Sequence, residues 1–522
     1  MPSASTTGSG AYDGLPLVDY ERHPSAATTP LPGKYKRREP EKTVLYAIVR
    51  EHLETFLARP TLRGGLRYPR FVEREFRRYL DCGLLCRGFS RLRCAECGFE
   101  RLVAYSCKGR LCPSCLARRT NDTAARLVDR LLPALPYRQW VLSFPFNLRF
   151  ALARRPTLHG KLVGAFLGIV FAWQRHRGRR LGVDGGQTGS VTFLQRFGGA
   201  LNCNPHAHCI VPDGLFVQDP DGANVLAFVR LPPPSDEEVA LLTRRIARRL
   251  TAIARRILGE DGENFVDDEE DEAAVRDDVA AALRPPLAVV PQQSVLPLDL
   301  AAPTPAKRLC AAVNGFSLHA ARTVEASDRK GLERLCRYGL RSPISQERLS
   351  LRPDGRVVYR LARPWPTPAG RTELVLDPVD FLRRLGALIP PPYTNLVRYH
   401  GVFANRSRYR RQLPPPPPPA PTAAPAGDSA DTEPLPAIAP RRSRSAAPPS
   451  SAAATSRPSR TPWAALLRRV FGVDSLSCPK CAAQMVVLAF ITDPRVLHKV
   501  LEHLGLPTSP PPIPPPSLPP HT

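Results

Sequence analysis

Between Gly189 and Phe228 short apolar runs alternate with turn residues, and no other stretch restricts the fold as much. Gly189 to Gly198 reads as a strand, with Val191 and Phe193 facing opposite to Thr192 and Leu194. A Gly198-Gly199-Ala200 turn leads into Asn204-Pro205-His206-Ala207-His208-Cys209-Ile210-Val211, a second strand. Pro212-Asp213-Gly214 turns the chain into Leu215-Phe216-Val217, and Asp219-Pro220-Asp221-Gly222 turns it again toward Val225 and Phe228. Strands joined by turns this short pair antiparallel, so a meander with the histidine strand at its centre is expected.

Side chains alternate faces along a strand, so His206 and His208 point the same way and Ala207 points into a core. Two imidazoles on a rigid element can hold one cation with little ordering. Imidazole suits a divalent transition ion, and it accepts magnesium-type chemistry when oxygen ligands complete the shell. The spacing also occurs in ordinary strands, so it becomes informative only through its surroundings.

The second constraint is cysteine. Cys94-Ala95-Glu96-Cys97 is followed by Cys112-Pro113-Ser114-Cys115. Two Cys-x2-Cys pairs at this separation can give four thiolates to one tetrahedral zinc, which would supply much of a small module's folding free energy. Cys82, Cys86 and Cys107 lie close by as spare thiols, alternates or ligands of a second ion. Arg87, Arg91, Arg93 and Arg101, interleaved with Phe89, Phe99 and Tyr105, suit nucleic-acid contact, and a protein-docking zinc module is the alternative. Cys478-Pro479-Lys480-Cys481 is a lone pair that would need partners from elsewhere.

The remaining chain sorts into segments. Residues 1–40 carry no folding pattern and no apolar signal-peptide region. An amphipathic helix from Glu41 to Arg59 and a second one from Pro69 precede the cysteines, giving a helical, zinc-binding, DNA-binding domain over 41–120. A second folded core follows, first part 121–258, closed by a helix that Ser235 and Glu238 open as a capping box. An acidic, then Ala/Pro-rich insertion spans 259–310, with eleven acidic residues in the first twenty. The core resumes over 311–412, where a helix from Lys330 to Arg337 delivers Tyr338, and Asp377-Pro378 starts another. A Pro-rich linker (413–462), a small unit (463–506) and a disordered proline tail (507–522) end the chain.

With 74 Lys+Arg against 47 Asp+Glu, the net charge of +27 points to a polyanionic partner, DNA first. No run of about 18 apolar residues is present, so no membrane span is expected. Clustered cysteines fit metal ligands in a reducing, cytoplasmic and nucleoid-associated setting better than disulfides. A basic chain with a zinc module, a paired-histidine strand and a helix-borne tyrosine suits DNA nicking. The phenolate would be the nucleophile, and a divalent ion on His206 and His208 would polarise the phosphate.

The ordered set of stretches resembles the rolling-circle transposases of the HUH superfamily, the insertion-sequence group with an N-terminal zinc-binding domain. The matching stretches are Arg93 to Cys115, Arg138 to Pro145, Phe193 to Gly214 with NPHAHCIVPDG, Gly315 to Ala320, Leu335 to Leu349, Leu396 to Ala404, and Arg469 to Met485. The resemblance implies an α+β fold: an HUH endonuclease core of antiparallel sheet flanked by helices, a small zinc domain and long disordered Pro-rich segments. It implies His206 and His208 as ligands of Mg2+ or Mn2+ and Tyr338 as nucleophile, beside the structural Zn2+ that the spacing of Cys94, Cys97, Cys112 and Cys115 points to. Its DNA partner would be single-stranded or the hairpin ends of its own element. Many relatives have two tyrosines four apart, whereas Arg334 precedes Tyr338 by four here. Tyr399 is the reserve nucleophile, Gln195 the candidate third ligand, and His319 a candidate support. Cys82, Cys107, Cys478 and Cys481 are further candidate metal ligands. A replication initiator, a relaxase-like nickase, and a DNA-binding protein with a decayed core remain alternatives.

Overall fold

The computed structural model describes residues 38–58, 68–219, 224–260, 308–362, 364, 370–417, 469 and 476–517. The readings made for 1–37, most of the acidic insertion and most of the Pro-rich linker lie outside these residues. In chain order the elements are α1 (Val44–Ala58), α2 (Arg70–Leu80), β1 (Phe89–Cys94), β2 (Glu100–Ala104), α3 (Pro113–Arg130), β3 (Tyr137–Ser143), α4 (Phe146–Arg154), α5 (Pro156–Arg180), β4 (Gly189–Phe197), β5 (Cys203–Pro212), β6 (Gly214–Gln218), β7 (Leu226–Arg230) and α6 (Asp236–Glu260). They continue with β8 (Cys310–Val313), β9 (Phe316–His319), β10 (Thr323–Val324), α7 (Arg329–Gly339), β11 (Leu349–Leu351), β12 (Val357–Arg360), β13 (Glu373–Leu376), α8 (Pro378–Leu388), β14 (Val397–Gly401), β15 (Met485–Ile491) and α9 (Pro494–His503).

The main sheet is antiparallel, in the order β14-β4-β5-β3-β9-β8, with β10 pairing the start of β3. The histidine strand β5 sits inside it, flanked by β4 and β3. Alternation along β3, β4 and β5 sorts two faces. Trp140, Leu142, Leu194, Ala207 and Cys209 pack against α5 and α6, which offer Leu162, Phe166, Val170, Val239, Ile246 and Leu250. Tyr137, Val191, Phe193 and Ile210 pack against α3 and α7 through Ala124, Leu127, Leu332, Leu335 and Cys336. The result is an α+β fold, a helix-covered antiparallel sheet.

Local chemistry sets several helix starts. Glu238 N–H donates to Ser235 Oγ at 3.2 Å and Ser235 N–H to Glu238 Oε2 at 3.0 Å, the expected capping box of α6. The Asp377 carboxylate accepts from Val379 and Asp380 amides ahead of Pro378. No membrane span is expected from the apolar runs, yet among the described residues α5 is long and apolar enough to cross a membrane. Its Leu158, Leu162, Phe166 and Val170 are buried in the core, which accounts for that composition.

The expected meander holds only for β4 and β5. Strands β6 and β7 leave to form a two-stranded sheet of their own. Asp213 is held there by Arg138 through hydrogen bonds of 3.0 and 2.7 Å, and a Cβ on Gly214 would come within 2.2 Å of the Val229 carbonyl. The ion pair and the glycine turn the chain out of the sheet.

Two further bodies join distant sequence. Helices α1, α2 and α8 share a core with β11–β13, built on Leu45, Phe56, Phe76, Val357, Leu374 and Phe381. Strand β15 pairs antiparallel with β1, from Phe89↔Ile491 to Cys94↔Met485, and α9 packs Leu497 and Leu501 on Phe89. Residues 507–517 of the expected disordered tail are described, and Ser517 N–H donates to Thr55 Oγ1 of α1 at 2.9 Å.

Candidate active site and cysteine metal centres

His206 lies opposite Gln195 on β4 and Ser143 on β3, and His208 lies opposite Phe193 and Val141. Both imidazoles share the α3/α7 face of the sheet, with ring centroids 4.8 Å apart. His206 Nδ1 is 2.7 Å from the Asn204 carbonyl and donates to it, which leaves Nε2 as a lone pair. His208 Nδ1 meets the Gln139 side-chain amide at 3.2 Å. An amide end can turn to present its oxygen, so that contact also permits a free Nε2 lone pair. His208 Nε2 is buried without a hydrogen-bond partner among the described residues. Burial pushes His206 down to about 4 and His208 well below the ordinary histidine value, with the Arg341 cation adding to both. Both rings are therefore neutral near pH 7, the form that ligates a metal.

Helix α7 brings Tyr338 to this pair. The Asp328 carboxylate caps it by accepting from Gly331 N–H at 2.7 Å, and Leu332, Leu335 and Cys336 fasten it to the sheet. Tyr338 then meets His208 edge-on, with centroids 5.4 Å apart and planes at 89°. Gln195 Nε2 donates to the carbonyls of Tyr338 (2.8 Å) and Gly339 (3.1 Å), pinning the helix end to β4. Its Oε1 is buried and without a partner among the described residues, beside His206 in register. The donor set, two neutral imidazoles and an orphaned amide oxygen, fits a divalent cation. Arg341 stacks on Tyr338 (5.1 Å) and Phe197 (4.9 Å), and its buried Nε has no hydrogen-bond partner among the described residues.

The other candidates sit apart. Tyr399 lies on β14 opposite Val191, under the Arg410 guanidinium at 5.6 Å, with burial raising its phenol pKa. His319 lies opposite Val141 on β9, so β3 separates it from His208 by two strand spacings, about 10 Å. Its Nε2 is 3.6 Å from Cys310 Sγ. Sequence reasoning missed Gln139, Asn204 and Arg341. Asn204 and Arg341 stand two and three residues from the named site residues, whereas Gln139 carried no local signal.

The cysteines form two groups rather than the expected Cys94, Cys97, Cys112 and Cys115 set. Cys82, Cys107, Cys112 and Cys115 make one group, and Cys94, Cys97, Cys478 and Cys481 the other; within each, all sulfurs lie within 4.8 Å. The cause is the β1–β2 hairpin. Cys94 and Cys97 ride its tip, while Cys107 lies beyond its base near Cys82. A six-residue strand is about 20 Å long, too far for one ion to bridge. In the first group the sulfur separations are 3.6 Å (Cys82–Cys115), 3.5 Å (Cys107–Cys115) and 3.6 Å (Cys82–Cys112). A tetrahedron with zinc–sulfur bonds of about 2.3 Å has edges of about 3.8 Å, so the set fits zinc. Arg38 Nη2 and the Cys107 amide each donate to Cys82 Sγ at 3.3 Å. Hydrogen bonds among the four thiols hold Cys82 and Cys115 below the usual thiol value and push Cys107 and Cys112 above it.

Residues 48–144 match the family described as "Transposase zinc-binding domain", and residues 189–411 match the one described as "Putative transposase". A relative from Sinorhizobium fredii (strain NBRC 101917 / NGR234), "Putative transposase y4qJ", is 31% identical over 142 residues, 26% of this chain and 32% of the relative. The chain thus spans about a third of that relative's length. No solved structure matches the chain. The chain is therefore similar to transposases in two successive stretches, one holding the whole first cysteine group with Cys94 and Cys97 of the second, the other holding His206, His208 and Tyr338.

Proposed function

We propose that this chain is a rolling-circle transposase with an HUH endonuclease core, which nicks and rejoins single-stranded DNA at the ends of its element. The observation that carries the reading is the Tyr338 ring standing 5.4 Å from His208, on the sheet face that His206 shares. The transposase matches over 48–144 and 189–411 support the DNA substrate, as does the net charge of +27.

Tyr338 Oη attacks the scissile phosphorus. The new bond is phosphotyrosine to the 5′ side, the P–O3′ bond breaks, and the phenolic proton leaves to solvent while the 3′ oxygen takes one up. His206 and His208 would hold Mg2+ or Mn2+, with Gln195 Oε1 as oxygen donor, and the ion would polarise the phosphate. Gln195 also fixes the helix end, so the phenol is aimed before DNA arrives. Arg341, stacked on Tyr338, supplies a cation for the phosphate's developing charge. The phosphotyrosine conserves bond energy, so a free 3′-hydroxyl can reverse the step and join strands. A single tyrosine on α7 means the strand transfers occur one after another at that phenol.

The test is incubation with labelled single-stranded DNA carrying the element end, with Mg2+ or Mn2+. A covalent protein–DNA band is expected, lost in Tyr338→Phe and kept in Tyr399→Phe. An undiminished band in Tyr338→Phe would overturn the assignment.

A further inference from the structure

We propose that Cys94, Cys97, Cys478 and Cys481 bind a second zinc ion, and that this ion fastens the C-terminal unit onto the N-terminal module. Sulfurs from the two ends of the chain approach to 3.4 Å (Cys94–Cys481) and 3.5 Å (Cys97–Cys478), across 387 and 381 residues of sequence. The four sulfurs lie within 4.8 Å of one another, the compass of a tetrahedral thiolate site.

The two halves have the same backbone. Gly98 N–H donates to the Cys94 carbonyl at 3.2 Å and Cys94 N–H to the Phe99 carbonyl at 2.9 Å. In the other half Ala482 N–H donates to the Cys478 carbonyl at 2.9 Å and Cys478 N–H to the Ala483 carbonyl at 2.8 Å. The fourth residue after the first cysteine is left-handed in both, Gly98 at φ 68° and Ala482 at φ 61°. An alanine is sterically disfavoured there, so the turn is being held against its own preference. Two loops of one shape, each turning a cysteine pair toward the other, form a knuckle-to-knuckle site. Lys480 lies over the Phe99 ring at 5.5 Å, a further contact between the halves.

Besides this site the halves are joined by the β1–β15 ladder and by α9 on Phe89 at its far end. The local core is Leu92, Cys94, Cys478 and Met485, and Val486, Val487, Leu488 and Phe490 of β15 are exposed. At this end of the ladder the core is small, and a metal on the four thiolates would add to its closure. The matched zinc-binding stretch ends at residue 144, so Cys478 and Cys481 fall outside it. The C-terminal unit also reaches the catalytic layer, where Arg469 pairs with Asp129 of α3 (3.1 Å) and Glu333 of α7 (2.7 Å).

The experiment uses the full chain with a protease site inserted between residues 418 and 462. Metal analysis of the zinc-loaded protein is expected to give two zinc ions per chain, falling to one in Cys481→Ser. Cys82→Ser, aimed at the other group, also falls to one. After cleavage, the C-terminal fragment is expected to co-elute with the rest in wild type and in Cys82→Ser, and to separate in Cys481→Ser. One zinc per wild-type chain, two in Cys481→Ser, or a fragment that stays attached in Cys481→Ser would each overturn the proposal. This readout does not depend on nicking, so it stands or falls apart from the activity of Tyr338.

Discussion

Gly339→Ala is expected to cripple nicking without touching any chemical group of the site. A Cβ built on Gly339 would lie 2.5, 2.6 and 3.0 Å from Cδ2, Cγ and Cβ of Phe193. Carbon atoms settle about 3.5–4.0 Å apart, so the helix end must lift by roughly 1 Å. Phe193 cannot yield, being 1% exposed and fixed beside His208 in register. The lift would stretch the Gln195 hydrogen bonds, now 2.8 and 3.1 Å, beyond useful length. Overpacking of this kind costs about 1–3 kcal/mol. A misplacement of about 1 Å at the nucleophile costs about 10²-fold in rate. The assay is the rate of covalent adduct formation on labelled single-stranded DNA, with urea unfolding and DNA binding measured alongside. Binding is expected to hold while the rate falls about a hundredfold. Phe193→Ala in the same chain, which removes the Cγ and Cδ2 atoms that the new methyl would strike, should recover part of the rate. A Gly339→Ala rate within about twofold of wild type would refute the claim that this contact aims the phenol.

Asp213→Ala strands the Arg138 guanidinium, 3% exposed, without its carboxylate. Urea unfolding should register a loss of about 3–5 kcal/mol, and a loss below about 1 would show that the pair does not fix the end of β5. Burial pushes His159 down to about 3 and His206 to about 4. As pH falls below about 6.5 the unfolded chain takes up these protons first, so stability is full above that pH and declines toward 4. Urea melts at pH 7.5, 6.5 and 5.5, with zinc retention verified at each, should show the decline, and a flat profile would contradict it.

Local chemistry was legible in the chain and distant pairing was not. Ser235 with Glu238, and Asp377 with Pro378, announced helix starts because a cap and its partner lie within one turn. The histidine strand was legible through its alternation and the turns on either side. The cysteine pairs were legible as metal ligands but not in their grouping. Cys94 meets Cys481 only because β15 closes on β1, and nothing near residue 94 records that. The exit of β6 from the sheet was equally hidden, since it turns on Arg138 reaching Asp213 from 75 residues away. Tyr338 could be picked out as a candidate from the chain, whereas Gln139 and Arg341 emerge beside the histidines and the tyrosine only when strands and helix are stacked.

The most direct measurement is peptide mapping of the protein–DNA adduct by mass spectrometry. After nuclease trimming, the remaining 5′-phosphonucleotide is expected on Tyr338 of the α7 peptide. Finding it on Tyr399 of β14, or on no tyrosine, would contradict the central claim.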